Sequence, residues 1–391
     1  MLKRVGTFVA SLSLVIGMAA PVSAAGSSEK EPTFKPITEQ SAPQEVIVHF
    51  EESITSSITD EVLAEVKGEI TEKTEEFLVV EVEGNVSEAV ESLESIDAVS
   101  YAEPNVTLHA NYMPNDPAYH SLQYAPQKIG AEAAWDVTLS DPSVKIAVVD
   151  TGVDYNHPDL DGKVLEGYDF VDEDNDAIDE NEHGTHVAGI AAANTNNGEG
   201  IAGLAPEASI LPVRVLDADG SGSLDDVAQG IRYAADQGAQ VINLSLGGAV
   251  GTQTLEDAVN YAWEQGSVVV AAAGNSSSPL PSYPAFYDNA IAVAATDQND
   301  TIAYFSNYGT WVDIAAPGVD IYSTIPNGGY ASYSGTSMAS PVVAGVAGLL
   351  AAQGKSAEQI RTALEETADD VRGTGTLFQN GRVNAANAVQ H

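Results

Sequence analysis

Cysteine is absent from the 391 residues, which removes disulfides, thiolate-held zinc and a cysteine nucleophile together. Positive charge is scarce. Against 57 Asp and Glu stand only 15 Lys and Arg, a formal net charge of -42. Such a chain repels phosphate backbones and anionic lipid surfaces, so no nucleic-acid partner is expected. Long apolar runs are missing too. The one candidate, Val5 to Ala20, follows Lys3 and Arg4 and precedes Val22, Ser23 and Ala24; it is shorter than the ~20 residues that cross a bilayer. That layout predicts a secretory signal peptide over 1–24, cut after Ala24, and a secreted chain with no membrane contact afterwards. Histidine occurs only seven times, so few positions can carry imidazole chemistry.

What is present is globular. Hydrophobic residues make up 44% and charged residues 18%, and the length is a prior for two or three folded units at about 150 residues each. Residues 25 to about 44 are polar and contain proline, as a linker does. Glu45 to Phe50 and Glu76 to Val82 read as strands, Ile58 to Ile70 and Val86 to Ser95 as helices, and Val99 to Leu108 as a closing strand. The order strand-helix-strand-helix-strand predicts a small α+β unit of the ferredoxin-like kind, with 20 acidic and four basic residues between Ala25 and Asn111. From Tyr112 to His391, short continuous apolar runs alternate with helical stretches. The runs are Lys145 to Asp150, Ile210 to Leu216, Val241 to Leu246, Val268 to Ala273, Ala290 to Ala295 and Val312 to Ala316. Strands like these are buried on both faces, and the β-then-α order predicts a doubly wound, mainly parallel α/β sheet flanked by helices.

In such sheets ligands bind beyond the carboxyl ends of the strands. Asp150 ends one run and opens a Thr-Gly turn; taken alone it reads equally well as the cap of a following helix. His183 and His186 sit at a helix head, but Gly184 stands where a zinc metalloprotease helix needs glutamate, and the spacing is three rather than four. Ser337, preceded by Gly335 and Thr336, opens a long Ala- and Val-rich helix, where backbone N–H groups can face a developing oxyanion, or the hydroxyl can simply cap the helix. Together Asp, His and Ser are the parts of a nucleophilic triad. Their chain order, Asp150, His183, Ser337, differs from that of α/β-hydrolases, which disfavours an esterase of that type, and from that of the antiparallel chymotrypsin-like barrels.

With these motifs the chain resembles the subtilisin family of serine endopeptidases over essentially all of 112–391. The likeness is carried by Asn115-Asp116-Pro117, Val149 to Val153, His183-Gly184-Thr185-His186, Ser245 to Gly248, Ala273-Gly274-Asn275 and Gly335 to Ala339. It implies a subtilisin-like fold in which Ser337 is the nucleophile, His183 the general base, Asp150 the carboxylate that orients it and Asn275 an oxyanion donor. It implies that Gly220, Ser221 and Gly222 on one side and Ser245, Leu246 and Gly247 on the other bind a peptide as an added strand. Leu224 and Val227 would line a distant apolar pocket, and Gly248, Ala273 and Ser282 the pocket before the scissile bond. It also implies two structural calcium sites. One uses Asp116, Asp159, Asn197 and the carbonyls of Asn194, Glu199 and Ile201; the other uses Asp169, Asp172, Asp174 and Asp176, where packed carboxylates call for a hard cation. Asp176 and Ile178, like Asn194 and Glu199, depart from the family's residues, as does Val342, where the family commonly has histidine.

The small upstream unit, 25–111, resembles the family's propeptide, an intramolecular chaperone and inhibitor cut away near residues 109 to 112. The expected partners are protein or peptide substrates and the chain's own propeptide, and a monomer is expected. A catalytically inactive subtilisin-like binding protein is the competing reading. The acidic excess is spread over both units, with 37 acidic and nine basic residues in 112–391, a surface suited to high salt, where self-repulsion is screened.

Overall fold

The computed structural model describes residues 45–50, 55–82, 85–105 and 112–391. The expected signal peptide and linker, and the 109–111 part of the expected cut, lie outside the described residues. Among the described residues no helix is long and apolar enough to cross a membrane.

The upstream unit contains β1 (Glu45–Phe50), α1 (Ser56–Val66), β2 (Glu69–Lys73), β3 (Phe77–Glu81), α2 (Val86–Glu94) and β4 (Val99–Pro104). Its sheet runs β2-β3-β1-β4, and the pairs β1–β3, β1–β4 and β2–β3 are antiparallel. The helix expected to reach Ile70 stops at Val66, and a fourth strand follows that the sequence reading lacks. Its physical cause is plain. Strand β2 is a sheet edge of mostly exposed polar residues, so it shows no apolar alternation, and only pairing with β3 defines it. The resulting βαββαβ order is the split βαβ of ferredoxin-like folds. Val46, Val48, Leu78, Val80, Val62 and Leu93 fill a core of the unit's own.

In the larger unit the sheet consists of β5 (Lys145–Asp150), β6 (Tyr168–Asp169), β7 (Ser209–Arg214), β8 (Val241–Leu244), β9 (Val268–Ala272), β10 (Ala290–Thr296) and β11 (Ile314–Pro317). Their order is β11-β10-β9-β8-β5-β7-β6, and each recorded pairing is parallel. Alternate residues feed two cores: Ile146 and Val148 pack on one face, Ala147 and Val149 on the other. The first face is covered by α3 (His183–Ala192) and α6 (Thr336–Ala352), the second by α4 (Leu224–Asp236) and α5 (Gln253–Glu264). Fully burying each Val or Ile contributes about 1.5–3 kcal/mol, which is why runs such as Val268 to Ala272 hold a central position. The chain builds outward from β5 on one side to β7 and β6 and on the other to β8, so the order reverses beside β5. A crevice forms at such a reversal, beyond the carboxyl ends of the strands.

Candidate active site

Asp150 ends β5 and is fully buried. No helix follows it, so it caps none. Its Oδ1 accepts from the Thr151 N–H at 2.7 Å and lies 2.7 Å from His183 Nδ1. His183 is the first residue of α3, and its ring is partly exposed. Burial opposes a charge on this imidazole, but attraction and hydrogen bonding from Asp150, with the more distant Asp179, outweigh it and raise the pKa above the ordinary histidine value. His186, one turn on, is different. Its Nε2 bonds the Ala331 carbonyl at 3.0 Å, its ring stacks on Tyr333, and burial pushes its pKa down to about 4. It is a neutral packing residue, and the pair does not form a metal site.

Ser337 occupies the second position of the 17-residue helix α6, whose cap residue is Gly335, so it is no helix cap either. Pro341 lies in the same helix and has no N–H to give the Ser337 carbonyl four residues earlier. Ser245 supplies the missing donor: its Oγ donates to the Ser337 carbonyl at 2.8 Å. In return the Ser337 hydroxyl donates to the Ser245 carbonyl at 3.1 Å. Ser245 is itself held by fully buried Asn243 of β8, which donates to its Oγ at 2.9 Å and accepts from Ser340 at 2.7 Å. Asn275 lies just beyond β9. Its Oδ1 accepts both the N–H and the hydroxyl of Thr336, at 2.8 and 2.9 Å, and its NH2 end meets no acceptor among the described residues.

A cleft of about 620 Å³ runs past His183 between Gly220, Ser221, Gly222, Leu224 and Val227 on one wall and Ser245 to Gly248 on the other. An adjoining hollow of about 490 Å³ shares Ser245 to Gly248 and is bordered by Asn275, Ser282, Thr336 and Ser337. The side chains expected along the cleft therefore meet there, with one correction. Ala273 is wholly buried, and its neighbours Ala272 and Gly274 border the hollow instead.

Residues 141–383 match the Subtilase family, and residues 27–105 match the Fervidolysin N-terminal prodomain. The chain belongs to the subtilase family. Thermitase of Thermoactinomyces vulgaris is 64% identical over 280 residues, 72% of this chain and 100% of that protein. A thermophilic serine proteinase of Bacillus sp. strain AK1 is 61% identical over 302 residues, 77% of this chain and 75% of that protein. Among solved structures, a protease from Pseudoalteromonas arctica PAMC 21717 superposes with a TM-score of 0.66 at 34% identity, covering 71% of this chain and 99% of that one. This subtilase is a serine endopeptidase, and its prodomain marks it as one made as a zymogen.

The calcium ligand sets expected of this subtilase differ in how well they suit an ion. Among the described residues no three or more His, Cys, Asp or Glu side chains gather as a metal cage. At the first set, Asp116 Oδ1 is buried with no hydrogen-bond partner among the described residues, and burial, with repulsion from Asp159, holds the Asp116 pKa above its ordinary value. Asn194, Asn197 and Glu199 border a hollow together with Asn156, Pro158 and Asp161, and Asp159 accepts from Asn197 Nδ2 at 2.7 Å and from the Ile201 N–H at 2.8 Å. An all-oxygen donor set with an unmatched buried carboxylate oxygen fits a hard cation. At the second set the chain brings its own cation. Arg214, at the end of β7, donates to Asp169 at 2.7 Å, Asp172 at 3.0 Å and Glu180 at 2.8 Å. Asp174 accepts its own loop's N–H at Asp176, and Asp176 takes the Tyr155 hydroxyl. The electrostatic argument for an ion there loses force.

Sequence reasoning missed Asn243, Arg214 and Tyr283, the last a cleft-wall residue. Asn243 and Arg214 left a signal: Asn243 is the lone polar residue of β8, and Arg214 is the lone charged residue of β7.

Proposed function

We propose that the chain is a secreted endopeptidase of broad specificity that cleaves peptide bonds through Asp150, His183 and Ser337. The observation that carries this reading is the 2.7 Å contact between Asp150 Oδ1 and His183 Nδ1. It commits Nδ1 to the carboxylate and leaves Nε2 to take the Ser337 proton as Oγ attacks the substrate carbonyl carbon. The proton then passes to the leaving amine as the C–N bond breaks, and water hydrolyses the acyl-serine by the same route. The Asn275 NH2 and the Ser337 N–H stabilise the oxyanion. Main-chain pairing along Gly220 to Gly222 and Ser245 to Gly247 gives tolerance of sequence.

Residues 25–111 serve as inhibitor and chaperone until removed, and the mature protein starts near Tyr112. Calcium held by Asp116, Asp159 and Asn197 with the carbonyls of Asn194, Glu199 and Ile201 would screen the two carboxylates and tie the Asn115–Asp116 segment to the 194–201 loop. Ser337→Ala should accumulate as an unprocessed precursor and lose labelling by a fluorophosphonate probe. A wild-type protein that is neither labelled nor matured would instead support an inactive subtilase-fold binding protein.

A further inference from the structure

The loop ahead of His183 carries a carboxylate that this scheme does not use. Asp179 is only 6% exposed. Its Oδ1 accepts from the Thr151 hydroxyl at 2.8 Å and from the N–H groups of Asn181 and Glu182 at 2.9 and 3.0 Å. Its Oδ2 accepts from the N–H and the hydroxyl of Thr185 at 2.8 and 2.6 Å. The donors come from the two segments whose meeting creates the Asp150–His183 pair: Thr151 follows Asp150, while Glu182 and Thr185 bracket His183.

Three further observations show how tightly this junction is built. The Thr151 hydroxyl also accepts from the Gly184 N–H at 2.9 Å. The segments approach so closely that a Cβ at Gly184 would stand 2.1 Å from the Gly152 carbonyl oxygen. Glu182, immediately before His183, has φ of 113°, a conformation that costs a non-glycine residue about 1–3 kcal/mol and persists only where its surroundings enforce it. Asp179 grips the Glu182 N–H, and the Tyr333 hydroxyl holds its carboxylate at 2.5 Å.

We infer that Asp179 is a positioning residue of this peptidase: it fixes the strained turn that aims His183 at Asp150. The inference rests on His183 being the general base. The charged or titratable groups facing His183 are Asp150 from β5, Asp179 from the preceding loop and His186 from its own helix, while Glu182 is turned onto Tyr333. Burial disfavours the imidazolium; Asp150 and then Asp179 favour it.

Asp179→Asn keeps the side-chain shape and an acceptor for Thr151, Asn181 and Glu182, but removes the charge and sets an NH2 against the Thr185 N–H. Kinetics on a short chromogenic peptide anilide, per active site counted by fluorophosphonate titration, test it. The expected result is kcat lower by about 10- to 100-fold, as a small misplacement of a catalytic group costs. KM should be little changed, and the acid limb of kcat/KM should move to lower pH. Unchanged kcat per site with an unmoved acid limb and only a lower Tm would reduce Asp179 to a structural role. If the Asp179→Asn precursor does not mature, Thr151→Val tests the same link with the carboxylate in place: kcat should fall while the acid limb stays, and wild-type kcat per site would overturn the inference. A wild-type chain that does not label at Ser337 would refute the peptidase reading itself, a separate failure.

Discussion

Ser245 and Ser337 exchange hydrogen bonds in both directions, side chain to main chain, at 2.8 and 3.1 Å. The pairing originates in Pro341, which leaves the Ser337 carbonyl without its helical donor. One serine therefore fixes the backbone of the other at the point where strand β8 ends and helix α6 begins.

Ser245→Ala should leave that carbonyl unmatched in a part-buried setting, at a cost of about 1–3 kcal/mol. At roughly 2–4 °C per kcal/mol for a domain of this size, a Tm lower by a few degrees is expected by calorimetry. A Tm equal to that of the wild type would show that the carbonyl finds another donor.

Asn275→Ala should lower kcat by about 10²–10³-fold with little change in KM, because the amide acts on charge that exists only in the transition state. Steady-state kinetics decide this. A loss confined to KM would assign Asn275 to ground-state binding.

Lys163 gives a pH signature of stability. Its Nζ is buried against the carbonyls of Pro206 and Ala193, and burial lowers its pKa to about 7. The unfolded chain binds this proton more tightly than the folded one, so stability should rise with pH from about 7 to the ordinary lysine value of 10.5. Below about 7 the full penalty, a few kcal/mol at most, applies. Asp313, raised by burial to about 6, acts with the opposite sign but only below that pH. Denaturant unfolding of the inactive Ser337→Ala chain between pH 7 and 10 should show the rise, and Lys163→Met should flatten it. An equal slope in both would remove Lys163 as its source.

Calcium removal should destabilise the enzyme through the Asp116 set. At saturation near 100 times Kd, an ion adds about 2.7 kcal/mol, so a chelator should lower Tm by roughly 5–10 °C. Asp116→Asn should abolish most of that difference. A chelator effect that survives this substitution would place the ion elsewhere.

Much of this molecule can be read from residue order alone. The strands of the larger unit are legible because burial on both faces demands unbroken apolar runs, and Asp150 and Asn275 are legible because they stand where such runs end. The short polar strand β2 is not legible, since an edge strand is defined by its partner rather than by its own pattern. The Arg214 hub is not legible for a related reason. Asp169, Asp172 and Glu180 look like unrelieved negative charge until β7, 34 or more residues onward, brings in the guanidinium.

The sequence by itself determined the apolar periodicity, and with it two folded units, a parallel sheet and the types of residue available for catalysis. Only the tertiary structure decided which oxygen meets which proton. Sequence pattern records which side chains must leave water, an effect that is local and non-directional. Hydrogen bonds and ion pairs depend on angle and on ångström distances between groups far apart in the chain. The Asp150–His183 contact, the Ser245–Ser337 exchange and the five bonds to Asp179 exist only once the strand and helix ends have been packed together.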